Sequence, residues 1–506
     1  MVGVRDSSLP SSSKGRLPRF LAQFVIVLVA APIWLVIFQS AVLRRQWDGG
    51  IFLSVSAGLS QGLNLYTGIW DNKDPFFYGF MTLSSLVHPE LPFVLDWFWI
   101  PLAALGAALL AARVSGSFGA LISGLIITPL AIYLTAYVPG YTNTPGTALT
   151  LTAWGLVVWR RWALTGAVLA ILALTKLVIL PVALLGLVGL LAIPPYRRTI
   201  AASIASFVGG LAVGLGLLAY LGWLMPWVDA LFKNVRYSQD LATYRAQPAH
   251  PFVRLWEVLA GWQSATWLLA VAGVVSLTLG FLIARRTRSL HILTASILTF
   301  AAAVGVMGIL SVTYSWPHHA QAFTLPLIMW GVLIVSMASN MFGWSVGAIG
   351  VTVASLIFAV VQSSLSFANT WSNAERHFVE ARVQTGEIPI EATVLNEVPM
   401  PSFAFARLGT NDDRGFIREL RPGVRLGCSV FHQYPFTPPE IFNSLRECVQ
   451  DTDIVLISAE YEIVSQENSS AREVLEYVTS NRECVRTESV FLCTRNLSIL
   501  EPKRMQ

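Results

Sequence analysis

The sequence has little charge for its length. Lysine, arginine, aspartate and glutamate make up 12% of the 506 residues, whereas hydrophobic residues make up 54%. Soluble globular domains carry about 25% charged residues, so this composition excludes an ordinary soluble protein and predicts a membrane protein. The formal net charge of +5 comes partly from short loops between apolar runs. It therefore indicates membrane topology and argues against nucleic acid as a partner.

Several motifs of well-known enzyme classes are absent. The sequence contains no Walker loop, no Rossmann glycine fingerprint and no H-E-x-x-H motif, so no nucleotide site is predicted. No convincing internal repeat is found either, and paired repeats are typical of transporters. A transporter or lipid flippase is therefore the alternative interpretation. A membrane scaffold with a partner-binding external domain is a third interpretation, but it does not explain the charged loops.

Cysteine is scarce, and all four cysteines lie near the C-terminus. Four cysteines confined to one extracytoplasmic domain fit two disulfides. Cys484 and Cys493 flank a predicted hairpin, so we pair them with each other and pair Cys428 with Cys448. A zinc site usually has tighter C-x-x-C spacing and is the weaker alternative.

Long apolar runs fill residues 20–368. The first run, residues 20–43, is long enough to span a bilayer and lacks a clear cleavage site, so we predict an uncleaved helix. Residues 1–19 before it are polar and basic and are predicted to be a disordered cytoplasmic segment. Together with the first, the later runs predict an α-helical polytopic protein with about eleven spans. The later runs are 91–113, 120–137, 147–159, 163–175, 177–193, 200–224, 266–284, 290–312, 320–336 and 344–367.

Residues 163–193 decide the number of spans. As one helix they would measure about 46 Å, which is too long for one span and short for two. Two short helices broken near Lys176 and Pro181 would keep Arg160–Arg161 and Arg197–Arg198 on one side of the membrane, as the positive-inside rule favours. The N-terminus is then cytoplasmic, and we expect a multi-pass protein of the inner or plasma membrane.

After residue 368 the chain becomes ordinary globular sequence, which an odd number of spans places outside the cytoplasm. The pattern predicts strands at Ala392–Val398, Asp453–Ser458 and Val490–Thr494, and helices at Pro438–Val449 and Ser470–Thr479. Residues 369–506 are therefore predicted to form a small extracytoplasmic α/β domain.

The loop after the first span, residues 44–90, concentrates charge at the edge of the membrane. Asp48 comes just after that span, and Asp71, Lys73 and Asp74 follow further on. Between them, residues 51–65 are apolar but too short to span, so we expect them to lie along the bilayer surface. Carboxylates and a lysine in this position predict chemistry on a charged group carried by a lipid.

Further polar residues lie in or near later outer loops. Arg236 lies in a long loop that mixes cations with tyrosines, Lys176 lies at the break between two short helices, and His318 and His319 form a pair. Cations in outer loops break the positive-inside bias, and phosphate binding would explain them. The histidine pair is compatible with a phosphate, a sugar, a divalent metal or a plain loop role.

The residues of the first loop also have simpler explanations. Lys73 is compatible with an interfacial anchor that reaches for water. Asp71 and Asp74 are compatible with caps of a turn before Pro75. Asp48 is compatible with an interfacial carboxylate at a helix end.

The order of these features resembles a known family. Asp48 is followed by G-x-x-L-Y ending at Tyr66, by D-N-K-x-P at residues 71–75, by a short helix ending in Thr-Lys at Lys176, and by Y-x-x-P-H-H beginning at Tyr314. With its α/β tail, the sequence is similar to the GT-C fold of integral-membrane glycosyltransferases. These are the relatives of protein O-mannosyltransferases and lipid A aminoarabinose transferases.

The resemblance implies a sugar donor linked to polyprenyl phosphate, reaction on the outer face and inversion at the anomeric carbon. It also implies that Asp48 is the general base. The chemistry agrees, because a glycosyl phosphate departs as an anion without needing a proton, so one carboxylate that deprotonates the acceptor hydroxyl can suffice.

The remaining candidate site residues divide into two groups. The candidate ligands of the departing phosphate are Lys73, Arg236, His318 and His319. The candidate substrate contacts are Asp71, Asp74, Tyr66, Tyr314 and Lys176. The expected partners are the lipid bilayer, the polyprenyl-phosphate-linked donor and a glycan, lipid or protein acceptor. No cofactor is assigned, and a divalent metal stays open.

Overall fold

The structure is a computed structural model that describes most of the chain. The described residues are 16–41, 48–88, 91–135, 137, 139–191, 197–244, 290–311, 321–342, 390–409, 420–427, 429–430, 433–486 and 490–495. For some of these, Asp48 among them, only the backbone is described. The predicted spans at 266–284 and 344–367 and the segment 1–15 lie outside the described residues.

Helices dominate the N-terminal part, and a mixed sheet lies in the C-terminal part. The helices are α1 (Arg16–Ser40), α2 (Asp48–Ser60), α3 (Pro75–Val87), α4 (Asp96–Ile122), α5 (Thr128–Leu134), α6 (Asn143–Val158), α7 (Trp162–Thr175), α8 (Leu180–Leu191), α9 (Arg197–Tyr220), α10 (Leu224–Tyr244), α11 (Leu290–Ser311), α12 (Thr324–Phe342), α13 (Ile390–Glu397), α14 (Pro439–Gln450), α15 (Ala459–Glu467) and α16 (Ser469–Asn481). The strands are β1 (Ile69–Trp70), β2 (Phe403–Leu408), β3 (Val424–Leu426), β4 (Ser429–Val430), β5 (Ile454–Ser458), β6 (Glu483–Arg486) and β7 (Val490–Thr494).

Within the described residues, four helical segments are long and apolar enough to cross a membrane. They are Phe20–Ser40, Leu91–Leu134, Ile200–Tyr220 and Leu290–Met307. Helix α1 begins at Arg16, so the last residues of the segment predicted to be disordered are helical. Since two predicted spans lie outside the described residues, the number of eleven stays a prediction.

Residues 91–134 form two antiparallel arms. Gly116 has a φ of 69° inside α4, a conformation that glycine adopts without a steric penalty. A Cβ on Gly124 would lie 2.9 Å from the carbonyl oxygen of Ala104 and 3.1 Å from the Cβ of Ala108. The chain therefore reverses at Gly116, and the two predicted runs at 91–113 and 120–137 are separate arms.

The break predicted near Lys176 and Pro181 is confirmed. Helix α7 ends at Thr175, a 3-10 turn covers Leu177–Ile179, and α8 begins at Leu180. Pro181 falls in the first turn of α8, where its missing N–H removes no helical hydrogen bond. The residues that interrupt the helix thus form a tight turn whose first residue is Lys176.

The C-terminal region, defined as residues 390–495, contains a five-stranded sheet in the order β3-β2-β5-β7-β6. Strands β2, β3 and β5 are parallel, and β7 pairs antiparallel with β5 and β6. Predicted strands correspond to β5 and β7, and predicted helices correspond to α14 and α16.

One predicted strand in this region is wrong. Ala392–Val398 contains helix α13, which spans Ile390–Glu397. Two fully buried residues of this helix, Ala392 and Leu395, lie three positions apart and so on the same helix face. A short apolar run does not distinguish strand from helix by composition alone.

The predicted pairing of Cys484 with Cys493 is confirmed. The two form a disulfide between directly opposed positions of β6 and β7, which excludes a zinc site at this pair. Cys448 is also disulfide-bonded, but its predicted partner Cys428 lies outside the described residues.

Helix α2 is enclosed by protein. Every residue from Ile51 to Ser56 is buried, and this segment belongs to one hydrophobic core that continues through α3 into the C-terminal sheet. The side-chain amide oxygen of Gln61, just after α2, accepts a 3.2 Å hydrogen bond from the backbone N–H of Leu426 in β3. The expectation that residues 51–65 lie along the bilayer surface is therefore wrong for α2. Its apolar residues point in all directions, and protein contacts bury them on every side of the helix.

Strand β1, which lies in the loop after α2, joins the C-terminal region directly. It pairs in parallel with β4, with Ile69 opposite Ser429 and Trp70 opposite Val430. The loop that carries Asp71, Lys73 and Asp74 is thus held between the membrane helices and the C-terminal region.

Candidate functional site

The predicted base stands at the start of α2. Asp48 is the first residue of that helix, and Phe52 follows four residues later, so the two positions lie on the same helix face. The ammonium group of Lys73 lies 5.5 Å from the centroid of the Phe52 ring. The loop after β1 therefore folds back onto the first turn of α2. The Asp48 side chain lies outside the described atoms, and its role stays a prediction.

Two hydrogen bonds in series connect Lys73 to the amide side chains of two asparagines. Its ammonium group donates to the Oδ1 atom of Asn72, and the Nδ2 atom of Asn72 donates to the Oδ1 atom of Asn234 at 3.2 Å. Asn234 lies on α10, which follows 162 residues later in the chain. Lys73 is thus linked to a distant helix through a single asparagine.

Tyr66 shapes the loop from within. Its hydroxyl donates a 2.6 Å hydrogen bond to the carbonyl oxygen of Lys73, and its backbone N–H donates to the carbonyl of Ile69 at 2.7 Å. Tyr66 has a φ of 69°, which is uncommon and strained for a bulky residue. Such strain persists only where the surroundings over-determine it, so the loop has a defined shape.

Asp71 faces the protein interior. It is fully buried, and the hydroxyl of Tyr78 donates a hydrogen bond to its carboxylate. The ring of Tyr78 packs edge-on against Phe52, with centroids 6.3 Å apart. This contact connects α3 to the first turn of α2.

Asp74 is the N-cap residue of α3, but its side chain does not cap that helix. Its Oδ2 atom instead accepts a 3.1 Å hydrogen bond from the backbone N–H of Leu177. That N–H opens the turn before α8 and has no partner within the helix, as is general for the first amides of a helix. The Asp74 carboxylate thus accepts a hydrogen bond from a free backbone N–H at the start of a helical turn that is distant in sequence.

Two lysines and one carboxylate meet at this point. Burial lowers the pKa of Lys176 to about 8, nearby Lys73 lowers it as well, and Asp74 opposes the shift. Burial raises the pKa of Asp74, and Lys176, the Leu177 amide, Trp227 and Lys73 oppose that shift. Lys176 therefore lies in a desolvated place beside a second cation, and an anionic ligand there would stabilise its charged form.

Gly146 on α6 makes room for the stem of Lys176. A Cβ at Gly146 would lie 3.2 Å from the Cβ and 3.3 Å from the Cγ of Lys176. Both distances are shorter than ordinary van der Waals contacts between carbon atoms. The absence of a side chain at this position leaves the space that the lysine stem occupies.

Arg236 lies on α10, and its described contacts are with the C-terminal region and not with Lys73, Lys176 or Asp74. Its guanidinium group forms an ion pair with Glu440 at the start of α14, and both side chains are substantially exposed. The next residue, Tyr237, packs against Phe436 with ring centroids 5.4 Å apart. These two contacts attach α10 to the C-terminal region.

The predicted loop residues Tyr314, His318 and His319 lie outside the described residues. The next described residue is Gln321, whose side-chain carbonyl accepts a hydrogen bond from the side-chain amide of Asn143. Two residues before Asn143, the ring of Tyr141 packs against Phe52 with centroids 5.6 Å apart. Gln321, the first described residue after that loop, thus contacts a segment that also contacts α2.

The structure adds several residues that sequence reasoning missed. Asn72, Asn234, Phe52, Gly146 and Trp227 all contact or influence the predicted site residues. Asn72 is part of the D-N-K-x-P motif, but no sequence signal pairs it with Asn234. Among the described residues, no group of three or more His, Cys, Asp or Glu side chains is arranged to hold a metal ion.

Comparison with known proteins gives a fold but no close relative. No protein-family model matches the chain, and no curated protein matches its sequence. The chain is similar to the crystal structure of ArnT from Cupriavidus metallidurans bound to undecaprenyl phosphate, with a TM-score of 0.55 and 12% identity over 95% of this chain and 99% of that one.

Two further solved structures are similar over most of this chain. Apo ArnT from the same organism has a TM-score of 0.50 and 14% identity, covering 96% of this chain and 100% of that one. The oligosaccharyltransferase of Archaeoglobus fulgidus has a TM-score of 0.49 and 11% identity, covering 94% and 74%. The likeness to the two ArnT structures shows that the chain has the GT-C fold, as the order of its motifs predicted.

Proposed function

We propose that this GT-C protein is a membrane glycosyltransferase that moves a sugar from a polyprenyl-phosphate donor to an acceptor hydroxyl on the outer face of the cell membrane. The observation that supports this most directly is the cluster of Lys73, Lys176 and Asp74. Lys176 is desolvated and lies near a second cation, Lys73, and a bound phosphate would stabilise both positive charges. The similar ArnT structure binds undecaprenyl phosphate, which is a ligand of this chemical class.

In the proposed reaction, Asp48 accepts the proton of the acceptor hydroxyl. The oxygen of that hydroxyl attacks the anomeric carbon from the side opposite the phosphate, and the bond between the anomeric carbon and the phosphate oxygen breaks. The electron pair of that bond leaves with the prenyl phosphate, which needs no proton. The configuration at the anomeric carbon is therefore inverted in the product. One carboxylate is enough for catalysis, because only the acceptor hydroxyl has to lose a proton.

The lysines act on the leaving group. Lys73 and Lys176 hold the phosphate oxygens as negative charge develops on them, which lowers the barrier because the cations are already in place. Asp74 keeps Lys176 at the cluster through its hydrogen bond to the neighbouring amide of Leu177. His318 and His319 complete the phosphate ligands in this proposal, and Tyr314 contacts the substrate.

Other predicted residues take supporting roles in the proposal. Tyr66 and Asp71 shape the loop that presents Lys73, given their hydrogen bonds to the Lys73 carbonyl and to Tyr78. Arg236 joins α10 to the C-terminal region through its ion pair with Glu440, and in this proposal it becomes a phosphate ligand when that pair opens. The N-terminus is cytoplasmic and the C-terminal region extracytoplasmic in this arrangement, and the acceptor is a glycan, a lipid or a protein hydroxyl.

The proposal is tested with purified protein in lipid nanodiscs and a panel of undecaprenyl-phosphate sugars. We expect one donor of the panel to be consumed with release of undecaprenyl phosphate when a crude cell-envelope acceptor is added. Lys73→Met should weaken the binding of undecaprenyl phosphate about tenfold or more, since a charge-assisted contact to phosphate is lost. Binding that is independent of both Lys73 and Lys176 would overturn the proposal, as would movement of the lipid donor between leaflets without its consumption.

A further inference from the structure

The hydrogen bonds around Asn72 have a direction that chemistry fixes. A lysine ammonium group can only donate hydrogen bonds, so the Asn72 atom that contacts Lys73 is the carbonyl oxygen Oδ1. The amino group of Asn72 must then find an acceptor elsewhere. Asn234 provides it, with its Oδ1 atom 3.2 Å from the Nδ2 atom of Asn72.

Asn234 occupies a well-anchored part of α10. Trp227, seven residues earlier, is buried and interacts with Asp74. Tyr237, three residues later, is buried and packs against Phe436 of the C-terminal region. Positions 227, 234 and 237 share one helix face, so Asn234 is held from both sides, whereas Asn72 lies in a loop.

From this geometry we infer that Asn234 is a positioning residue for Lys73. Asn234 holds the Asn72 amide in the orientation that turns its oxygen toward the Lys73 ammonium group. The lysine, which has a long flexible stem, is then fixed beside Phe52 before the phosphate arrives. Since ordering a side chain on binding weakens affinity, loss of this support weakens phosphate binding through Lys73.

This inference rests on the proposed function, because it assigns Lys73 to the phosphate. It also makes α10 the physical connection between the cluster and the C-terminal region. One end of the connection is the Asn72–Asn234 hydrogen bond, and the other is the contact of α10 with Phe436 and Glu440.

The experiment measures the dissociation constant of undecaprenyl phosphate for the full-length protein in nanodiscs. Asn234→Leu has nearly the shape of asparagine but cannot accept a hydrogen bond, and we expect it to raise the dissociation constant three- to tenfold. Asp229→Asn, on the same helix at an exposed position, is the matched control and should leave the constant unchanged. Asn234→Ala is a second variant in case the leucine disturbs folding, and it should weaken binding to a similar degree.

The decisive arm repeats Asn234→Leu in a Lys73→Met background. A residue that acts only through Lys73 adds nothing once that lysine is gone, whereas a residue that merely stabilises the fold lowers affinity again. If Asn234→Leu and Asn234→Ala leave binding unchanged while Lys73→Met weakens it, the positioning role is wrong and the proposed function stands. The positioning role is also wrong, and the proposed function again stands, if the Asn234 effect persists in the Lys73→Met background. If Lys73→Met itself has no effect, the proposed phosphate site is wrong.

Discussion

The carboxylate of Asp74 accepts a 3.1 Å hydrogen bond from the backbone N–H of Leu177. This bond joins the loop after β1 to the break between α7 and α8, 103 residues later in the chain. It brings Lys176, the residue before Leu177, into the electrostatic neighbourhood of Lys73. Two cations from distant segments thus share one site, and the following predictions depend on that arrangement.

The first prediction concerns pH. Burial lowers the pKa of Lys176 to about 8, so its ammonium group loses its proton as the pH rises through that value. The positive form attracts phosphate and the neutral form does not, so the dissociation constant of undecaprenyl phosphate should rise above pH 8. The second pKa of a phosphate monoester is about 6, two units below this step, so the ligand does not cause it. Titrations from pH 7 to pH 9.5 test this, and Lys176→Met should remove the step; a profile that is unchanged in Lys176→Met would contradict the assignment.

The second prediction concerns Asp74→Asn. An asparagine can still accept the hydrogen bond from Leu177 through its carbonyl oxygen, but it lacks the negative charge. That charge raises the pKa of Lys176 against burial and Lys73, so its removal should lower the pKa of Lys176 further. The step in the binding profile should then move below pH 8. A step that stays in place or moves upward would show that Asp74 does not act on Lys176.

The third prediction tests the packing of the membrane helices. A Cβ added to Gly106 on α4 would lie 2.5 Å from the carbonyl carbon of Leu151 on α6, so Gly106→Ala must push the helices apart. We expect the free energy of unfolding to fall by about 1–3 kcal/mol, which is the usual effect of overpacking a core. Gly216→Ala on α9 is the control, because a Cβ there meets nothing within 4 Å. Thermal unfolding in detergent should show a lower Tm for Gly106→Ala only; equal Tm values for the two variants would contradict the helix contact.

The fourth prediction concerns the disulfide of the C-terminal region. Cys484 and Cys493 are nine residues apart in sequence, and closing a loop of this size contributes about 2–3 kcal/mol. The double Cys484→Ser, Cys493→Ser variant should therefore unfold at a lower temperature. Strand β3, which contacts the loop after α2, is at the opposite edge of the sheet from β6, so binding of undecaprenyl phosphate should be retained. A loss of binding at temperatures where the variant is folded would contradict this separation of roles.

The sequence predicted features that depend on local patterns. The break at Lys176 followed from a stretch too long for one span, flanked by two arginine pairs and interrupted by Pro181. The disulfide between Cys484 and Cys493 followed from two cysteines that flank a hairpin, and it is present. In each case residues close together in the chain carry the information.

Features that depend on distant contacts were not predictable. No pattern in one sequence links Asn72 to Asn234 or Asp74 to Leu177, because their partners are over a hundred residues away. The enclosure of α2 was missed for a related reason. Its apolar composition suits a bilayer surface as well as a protein interior, and only the position of the C-terminal sheet decides between them.

The proposed mechanism makes Asp48 the general base beside a phosphate site. The most direct measurement is the rate of sugar transfer by Asp48→Asn in nanodiscs, together with its affinity for undecaprenyl phosphate and its Tm. Loss of a general base typically lowers the rate by about 10²–10⁴-fold, and we predict a fall of that size with unchanged affinity and Tm. Transfer by Asp48→Asn at the rate of the unmodified protein would contradict the role of Asp48 as the base.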